Sequence, residues 1–265
     1  MTKDIKTLKE QSQWMRKRIV ELAHKVGKNG AHLGGSLSIV EILSSLYAYA
    51  NKLTGEDRDR IILSKGHAAL AHYALLEAIG VLSKEETDTY ETNGCHLYAH
   101  EPRNIERGSE FSGGSLSLGL SFAVGVAMAC RNKGYNNHIY AIVGDGECNE
   151  GLVWESAMAI SNYNLNNMTV IVDCNAVQLD GTTKEVMDTD SLADKFKSFG
   201  FSVVEVDGHD ITALLEAYAR GTDKPKAIIA HTVKGKGLSF CEGLSTWHHN
   251  VLTDKLYEQA LEELK

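Results

Sequence analysis

Gly144-Asp145-Gly146 and, about 30 positions later, Asn175 are residue types that together can hold a divalent cation and a phosphate. An Asp carboxylate and an Asn carboxamide are hard oxygen ligands suited to Mg2+, an ion that keeps coordination positions open for phosphate oxygens. Gly146 has no Cβ, so the backbone there can turn with positive φ and lie against a phosphate. A helix beginning near Glu150 offers its free N–H groups and positive dipole end to the same anion. An isolated Asp-Gly is an ordinary turn. Here it follows one apolar strand and Asn175 follows the next, and that placement favours a diphosphate held through a metal over a plain turn.

The elements that must position these groups are legible around them. Ala141 to Gly181 reads as strand, sharp turn, helix, strand and polar loop, which places Asp145 and Asn175 at the ends of potentially adjacent strands, where open α/β sheets bind ligands. Along the whole chain the pattern predicts strands near 138–143, 168–173, 202–206 and 226–231. Helices are predicted near 4–27, 38–51, 67–79, 84–91, 116–132, 151–163, 190–199 and 211–220, with an amphipathic surface helix over 257–265. Ser38 with Glu41 and Ser83 with Glu86 have capping-box spacing. In the first helix Leu8, Trp14, Ile19, Leu22 and Val26 share a face. Alternating strands and helices imply an α/β fold with a parallel sheet flanked by helices on both faces, and without a low-complexity linker residues 1–265 read as one domain. Three long polar loops, 92–111, 175–190 and 233–252, are the places for function.

Composition narrows the classes. A chain of 265 residues with 43% hydrophobic content can bury a substantial core. A net charge of −8 without a basic stripe argues against a nucleic-acid surface. The five cysteines form an odd set with no Cys-x-x-Cys pair, which suggests neither a disulfide framework nor zinc and fits a reducing, cytoplasmic compartment. The stretch from Thr2 to Lys28 is charged and periodic, unlike a secretory signal, and the apolar run from Leu116 to Cys130 is too short and broken to span a membrane.

The Gly-Asp-Gly turn with its later Asn resembles the thiamine diphosphate signature. Asn149-Glu150-Gly151, Val153-Trp154-Glu155 and Asp173-Cys174-Asn175 are most similar to transketolases, in particular to the N-terminal, diphosphate-binding subunit of those split into two polypeptides. Further blocks resemble the same family in order: Ala31 to Ser38, Arg58 to His67, His100, Gly114-Ser115-Leu116, Ala230 to Gly237 and Trp247-His248. This wording favours transketolase over 1-deoxyxylulose-5-phosphate synthase. A nicotinamide oxidoreductase is disfavoured because no early Gly-x-Gly-x-x-Gly unit is present.

The resemblance implies thiamine diphosphate with Mg2+, for which Ca2+ or Mn2+ can substitute, held by Asp145, Asn175 and the Val177 carbonyl. It assigns cofactor contacts to His67, Gly114, Ser115, Leu116, Gly146, Glu150, Asn175 and His248, and sugar binding with proton transfer to His32, His100 and His248. His24, His72, His96, His138 and His249 have no such support and are expected to be structural or surface residues, with His209 and His231 architectural. Lys234-Gly235-Lys236-Gly237 reads either as a phosphate cradle or as a mobile active-site loop. The implied reaction moves a two-carbon ketol unit from a ketose phosphate to an aldose phosphate. The pyrimidine-binding and C-terminal domains of the family find no counterpart in these blocks, so a C-terminal partner subunit is implied, two of each chain together. Leu33, Glu101, Ser117 and Leu118 depart from the family pattern beside proposed contacts. They motivate the alternatives of a transketolase subunit for a modified sugar phosphate or a non-catalytic scaffold of the same fold.

Overall fold

A computed structural model describes residues 4–265; Thr2 and Lys3, at the head of the charged N-terminal stretch, lie outside the described residues. Its centre is a sheet of β1 (Arg60–Leu63), β2 (Ile139–Gly144), β3 (Met168–Cys174), β4 (Ser202–Asp207) and β5 (Lys226–His231). The order across the sheet is β1-β2-β3-β5-β4, and every neighbouring pair is parallel. Each strand alternates its side chains between two cores, as the period of two requires. Ile61, Tyr140, Ile142, Ile171 and Ile228 enter one; Ile62, Ala141, Val143, Val170, Val172 and Ile229 enter the other. Helices Ile5–Lys25, Val40–Tyr49, Ala69–Ala78 and Ile211–Ala219 build the first core. Leu118–Asn132, Gly151–Asn162 and Leu192–Ser198 build the second. Covered on both faces, the central strands are mostly apolar, and β2 is buried at every position.

After β3 the chain runs to the edge as β4 and returns inward as β5, so the winding reverses beside β3. The carboxyl ends of β1, β2, β3 and β5 therefore open onto one crevice, and the segments that leave them carry Lys65, Asp145, Asn175 and Lys234. The four strands read from sequence lie within a residue of the observed ones; β1 is an addition.

Several local expectations are corrected. The Ser38–Glu41 capping box does not form: the first helix of that region is Leu33–Leu37, and Val40–Tyr49 starts after Ile39 with no side-chain cap. Ser38 Oγ is drawn instead to the Gly35 carbonyl and the Asp173 carboxylate, and Glu41 binds Arg16 and His209. The Ser83–Glu86 box does form, at the head of the short helix Lys84–Thr87, which ends well before residue 91. The loop from 175 to 190 contains a further capped helix, Thr183–Met187. Trp14 lies off the buried face of its helix, and Met15 takes the core position. The helix expected from 116 starts at Leu118, preceded by Ser117 in the left-handed region at φ +68°. Among the described residues no helix is long and apolar enough to cross a membrane.

Candidate cofactor and metal site

The register of β2 and β3 sets Gly144 opposite Asp173, and the Asp145 N–H donates to the Asp173 carbonyl at 3.1 Å. The two strand ends are thus locked side by side. The Asp145 carboxylate accepts from the N–H of Gly146 at 2.8 Å and of Ala176 at 2.5 Å, so one side chain ties both loops. Asn175 donates Nδ2 to Asp173 at 2.9 Å and accepts the Val177 N–H on Oδ1 at 3.1 Å. The Val177 carbonyl accepts from Lys234 Nζ at 3.2 Å.

Gly146 is needed for space rather than for handedness. It is not among the residues with positive φ, but a Cβ there would stand 2.6 Å from Gln178 Oε1. It opens a 3₁₀ turn, Gly146–Asn149, which is followed by Glu150 in the capping position and the helix Gly151–Asn162. A second close approach joins the loops after β1 and before Leu118. A Cβ on Gly66 would lie 2.8 Å from the Gly114 nitrogen, and one on Gly113 would lie 2.8 Å from the Gly66 Cα. Glu147 pins the same junction, accepting from the N–H of Gly144 at 2.9 Å, the N–H of Ser117 at 2.7 Å and Ser64 Oγ.

These loops surround a cavity of about 550 Å3. Asp145, Gly146, Glu150, Asn175, Val177, His67, His100, His248, Gly114 and Leu116 line it. Ser115 does not line it. His32 stands behind the wall, its ring 5.9 Å from His67, 5.1 Å from His100 and 5.5 Å from His248, with Nδ1 buried and without a hydrogen-bond partner. His249, expected at the surface or in a structural role, joins this cluster with its ring 4.6 Å from His32. Lys234 is a buried cavity wall residue and settles its loop onto the site. Lys65, Glu147 and Gln178 also reach the cavity and were not singled out from sequence; only the Ser64-Lys65-Gly66-His67 block hinted at the first. His209 bridges Glu41 and the Val233 N–H, an architectural place as expected.

The four departures from the family pattern do not face this cavity. Leu33 is a core residue, Ser117 is buried in its left-handed turn, and Leu118 points to solvent. Glu101 is buried against His72, with Oε2 2.6 Å from Nδ1, and this pair anchors the loop that carries His100.

Electrostatically the site divides into charged and neutral groups. Burial first, then the nearby Asp173 charge, raises the Asp145 pKa to about 6. Burial, reinforced by the Lys65 charge, lowers Lys234 to about 8. Burial, then neighbouring imidazoles and Lys234, lowers His32 to about 3; burial, then Lys234 and Lys65, lowers His248 to about 4. His67 is pushed well below the ordinary range by burial and then by Lys65, and His100 is lowered chiefly by burial. At neutral pH the imidazoles are therefore uncharged; the His248 Nδ1 accepts from Lys234 Nζ at 3.2 Å, which leaves its Nε2–H to donate to a hydroxyl, while Lys65 and Lys234 supply positive charge.

A pH dependence of stability follows for the unliganded chain. His32 and His138, the latter lowered to about 4 by burial, have folded pKa values below the ordinary 6.5 or so. The unfolded chain takes up their protons first, so their contribution is present above about pH 6.5 and is lost as pH falls. Asp145 opposes them, because its raised pKa lets the folded chain gain a proton below about pH 6. His67, pushed down by burial as well, adds to the two; with the more open His248 discounted, stability is expected to drop by on the order of 2–4 kcal/mol between pH 7 and pH 5. A urea midpoint that stays flat over that interval would contradict neutral, buried imidazoles.

The donor set suits a Mg2+-bound diphosphate. Asp145 is a buried carboxylate short of a cation, and the Val177 carbonyl already faces an ammonium group. Gly66, Gly113 and Gly146 leave bare backbone where a Cβ would collide.

Known proteins resemble the chain along nearly its whole length. Residues 12–264 match the family described as transketolase, thiamine diphosphate binding domain. The chain is 39% identical to one of the subunits of apulose-4-phosphate transketolase from Phocaeicola vulgatus, an alignment that covers 98% of this chain and 94% of that protein. It is 38% identical to a 6-deoxy-6-sulfo-D-fructose transketolase subunit from a Clostridium species, covering 97% of this chain and 96% of that one. The crystal structure of transketolase from Campylobacter jejuni superposes with a TM-score of 0.89 at 28% identity; the match covers 98% of this chain but only 43% of that longer one.

Proposed function

Because the chain belongs to the transketolase family, to its thiamine diphosphate binding domain, we propose that it is the diphosphate-binding subunit of a split transketolase. The observation that carries this reading is the convergence of Asp145, Asn175 and the Val177 carbonyl at adjacent strand ends, under a cavity that also holds Lys65, Lys234 and His67. Asp145, Asn175 and the Val177 carbonyl would ligate Mg2+, leaving its other positions to the diphosphate. Lys65 and Lys234 would neutralise that anion, and the bare backbone at Gly114 and Gly146 would approach it. Thiamine diphosphate, when bound, supplies the carbanion chemistry of two-carbon transfer. The chain's own part is to orient and to move protons. The neutral rings of His100 and His248 meet sugar hydroxyls from the cavity wall, with His32 behind them, and can pass a proton without holding a fixed charge.

The relatives named as subunits match nearly end to end, whereas the chain spans under half of the single-chain transketolase from Campylobacter jejuni. This supports a C-terminal partner that completes the site; the family resemblance is the ground for two of each chain assembling together. The modified ketoses in the names of the two relatives favour a specialised sugar phosphate as substrate. His249 stands beside His32 in the histidine cluster, whereas none of the four sequence departures faces the cavity.

Calorimetry with thiamine diphosphate and Mg2+, on the chain alone and mixed with a candidate C-terminal subunit, tests the reading. Tight binding that needs both Mg2+ and the second subunit is expected; no binding by the folded mixture would sink the assignment. A screen of the mixture should then show turnover of apulose 4-phosphate or 6-deoxy-6-sulfo-D-fructose above that of xylulose 5-phosphate. The reverse ranking would return the chain to ordinary pentose chemistry.

A further inference from the structure

Asp173 closes β3 two residues before Asn175 and is fully buried. Donors from separate segments converge on its carboxylate. Oδ2 accepts from Lys65 Nζ after β1, from Ser38 Oγ at 2.8 Å and from Asn175 Nδ2 at 2.9 Å; Oδ1 accepts from Thr232 Oγ1 after β5. Lys65 is equally buried and also donates to the Gly35 carbonyl at 3.1 Å, so the ion pair is fixed from both ends.

The two ends of an Asn amide differ chemically, and only the carbonyl oxygen can ligate a cation. Nothing in the shape of Asn175 selects which end faces the cavity. Its neighbours do. Asp173 Oδ2 already accepts from the Lys65 ammonium, which can only donate, so it faces Asn175 as an acceptor and the end beside it must be Nδ2; the Val177 N–H only donates, so the end beside it must be Oδ1. Flipping the amide would replace two hydrogen bonds by two like-polarity contacts in a buried place, where unmade bonds are costly. In the observed orientation Oδ1 accepts one hydrogen bond and keeps a second lone pair for the cavity.

We propose that Asp173, held immobile as an acceptor by Lys65, Ser38 and Thr232, is a positioning residue that locks the Asn175 amide with its oxygen toward the metal position. It sets metal affinity without touching the metal. This rests on the reading of Asn175 as a metal ligand. The remaining lone pairs of Asp173 are taken up by the chain itself, which distinguishes it from Asp145, whose carboxylate lines the cavity.

The test is a Mg2+ titration of thiamine diphosphate binding by the two-subunit complex, read by calorimetry rather than by turnover. In Asp173→Asn the residue at 173 can donate as well as accept, the amide at 175 is free to flip, and the Mg2+ midpoint should rise about 10- to 100-fold. The exchange Asp173→Asn with Asn175→Asp presents an oxygen to the metal in either orientation and lets the new amide at 173 donate to it. It should return the midpoint to within about tenfold of the parent. A merely structural role, through the lost Lys65 partner, would not be rescued, since position 173 stays neutral in both variants. An unchanged midpoint in folded Asp173→Asn, or no recovery in the exchange, overturns the proposal. Should Asp173→Asn fail to assemble, Thr232→Val frees the carboxylate to rotate without discharging it. A rise of about 3- to 10-fold is expected there, at or below the lower end for lost supporting contacts, and an unchanged midpoint is again fatal. If the parent complex itself binds no Mg2+-dependent cofactor, the functional reading fails, an outcome distinct from these.

Discussion

Exchanging Asp145 for Asn is expected to weaken Mg2+-dependent thiamine diphosphate binding by the two-subunit complex by more than about 100-fold, beyond the 10- to 100-fold typical of groups that only support a ligand. The carboxylate carries the one negative charge among the proposed ligands, and the amide that replaces it removes that charge from the metal. The unliganded chain should respond quite differently. Asp145 is buried beside Asp173, an arrangement that favours its neutral form, so losing the charge relieves the folded chain. Against that gain, an amide can accept from only one side, and one of the bonds from the Gly146 and Ala176 N–H groups is given up; this is worth about 1 kcal/mol. The two effects offset, and thermal unfolding should place the variant within about 1 kcal/mol of the parent. A large loss of stability together with the loss of binding would mark Asp145 as structural. Binding lost with stability kept is the signature of a residue held in place for a ligand.

How much of this was visible beforehand depended on whether local pattern or tertiary partners decided the outcome. Asp145 and Asn175 were legible because each follows a strongly apolar strand, and parallel neighbours in a doubly covered sheet leave their carboxyl ends together. The strand Arg60–Leu63 was not. Three apolar residues in a row carry no period, and only pairing with β2 makes them a strand. Ser38 and Glu41 satisfied a spacing rule and still formed no cap, since the Asp173 carboxylate and the Arg16 guanidinium offered stronger, charge-assisted partners. His249 could not be assigned from its neighbours in sequence. It reaches the histidine cluster because Asn250 bridges to Ala31, which folds the 233–252 loop over Gly30, where a Cβ would meet the His249 ring at 3.0 Å. Lys65 and Asp173 were invisible as a pair for the same reason: they are 108 positions apart and meet only through sheet order.

That pair sets the largest stability effect expected in the molecule. Burial alone would raise the Asp173 pKa, but the Lys65 ammonium and the hydroxyls of Thr232 and Ser38 outweigh it and keep the carboxylate ionised below its ordinary value. Replacing Lys65 by Met preserves most of the side-chain volume and leaves a charge with no counter-ion at 0% exposure. Breaking a buried pair in this way costs about 3–5 kcal/mol. Adding Asp173→Asn to Lys65→Met removes the stranded charge, and the remaining donors, Ser38 and Thr232, can still bond an amide oxygen. The double variant should therefore be more stable than Lys65→Met alone by about 1–3 kcal/mol, although it carries one more substitution. Urea denaturation of the parent, both single variants and the double variant gives the coupling directly. Additive losses would mean that the charges do not depend on each other and that packing alone holds these strand ends. Strong non-additivity would mean that the two charges depend on each other, and a double variant close to the parent would mean that the pair adds little net stability, which leaves the proposed orientation of the Asn175 amide as the reason to keep it.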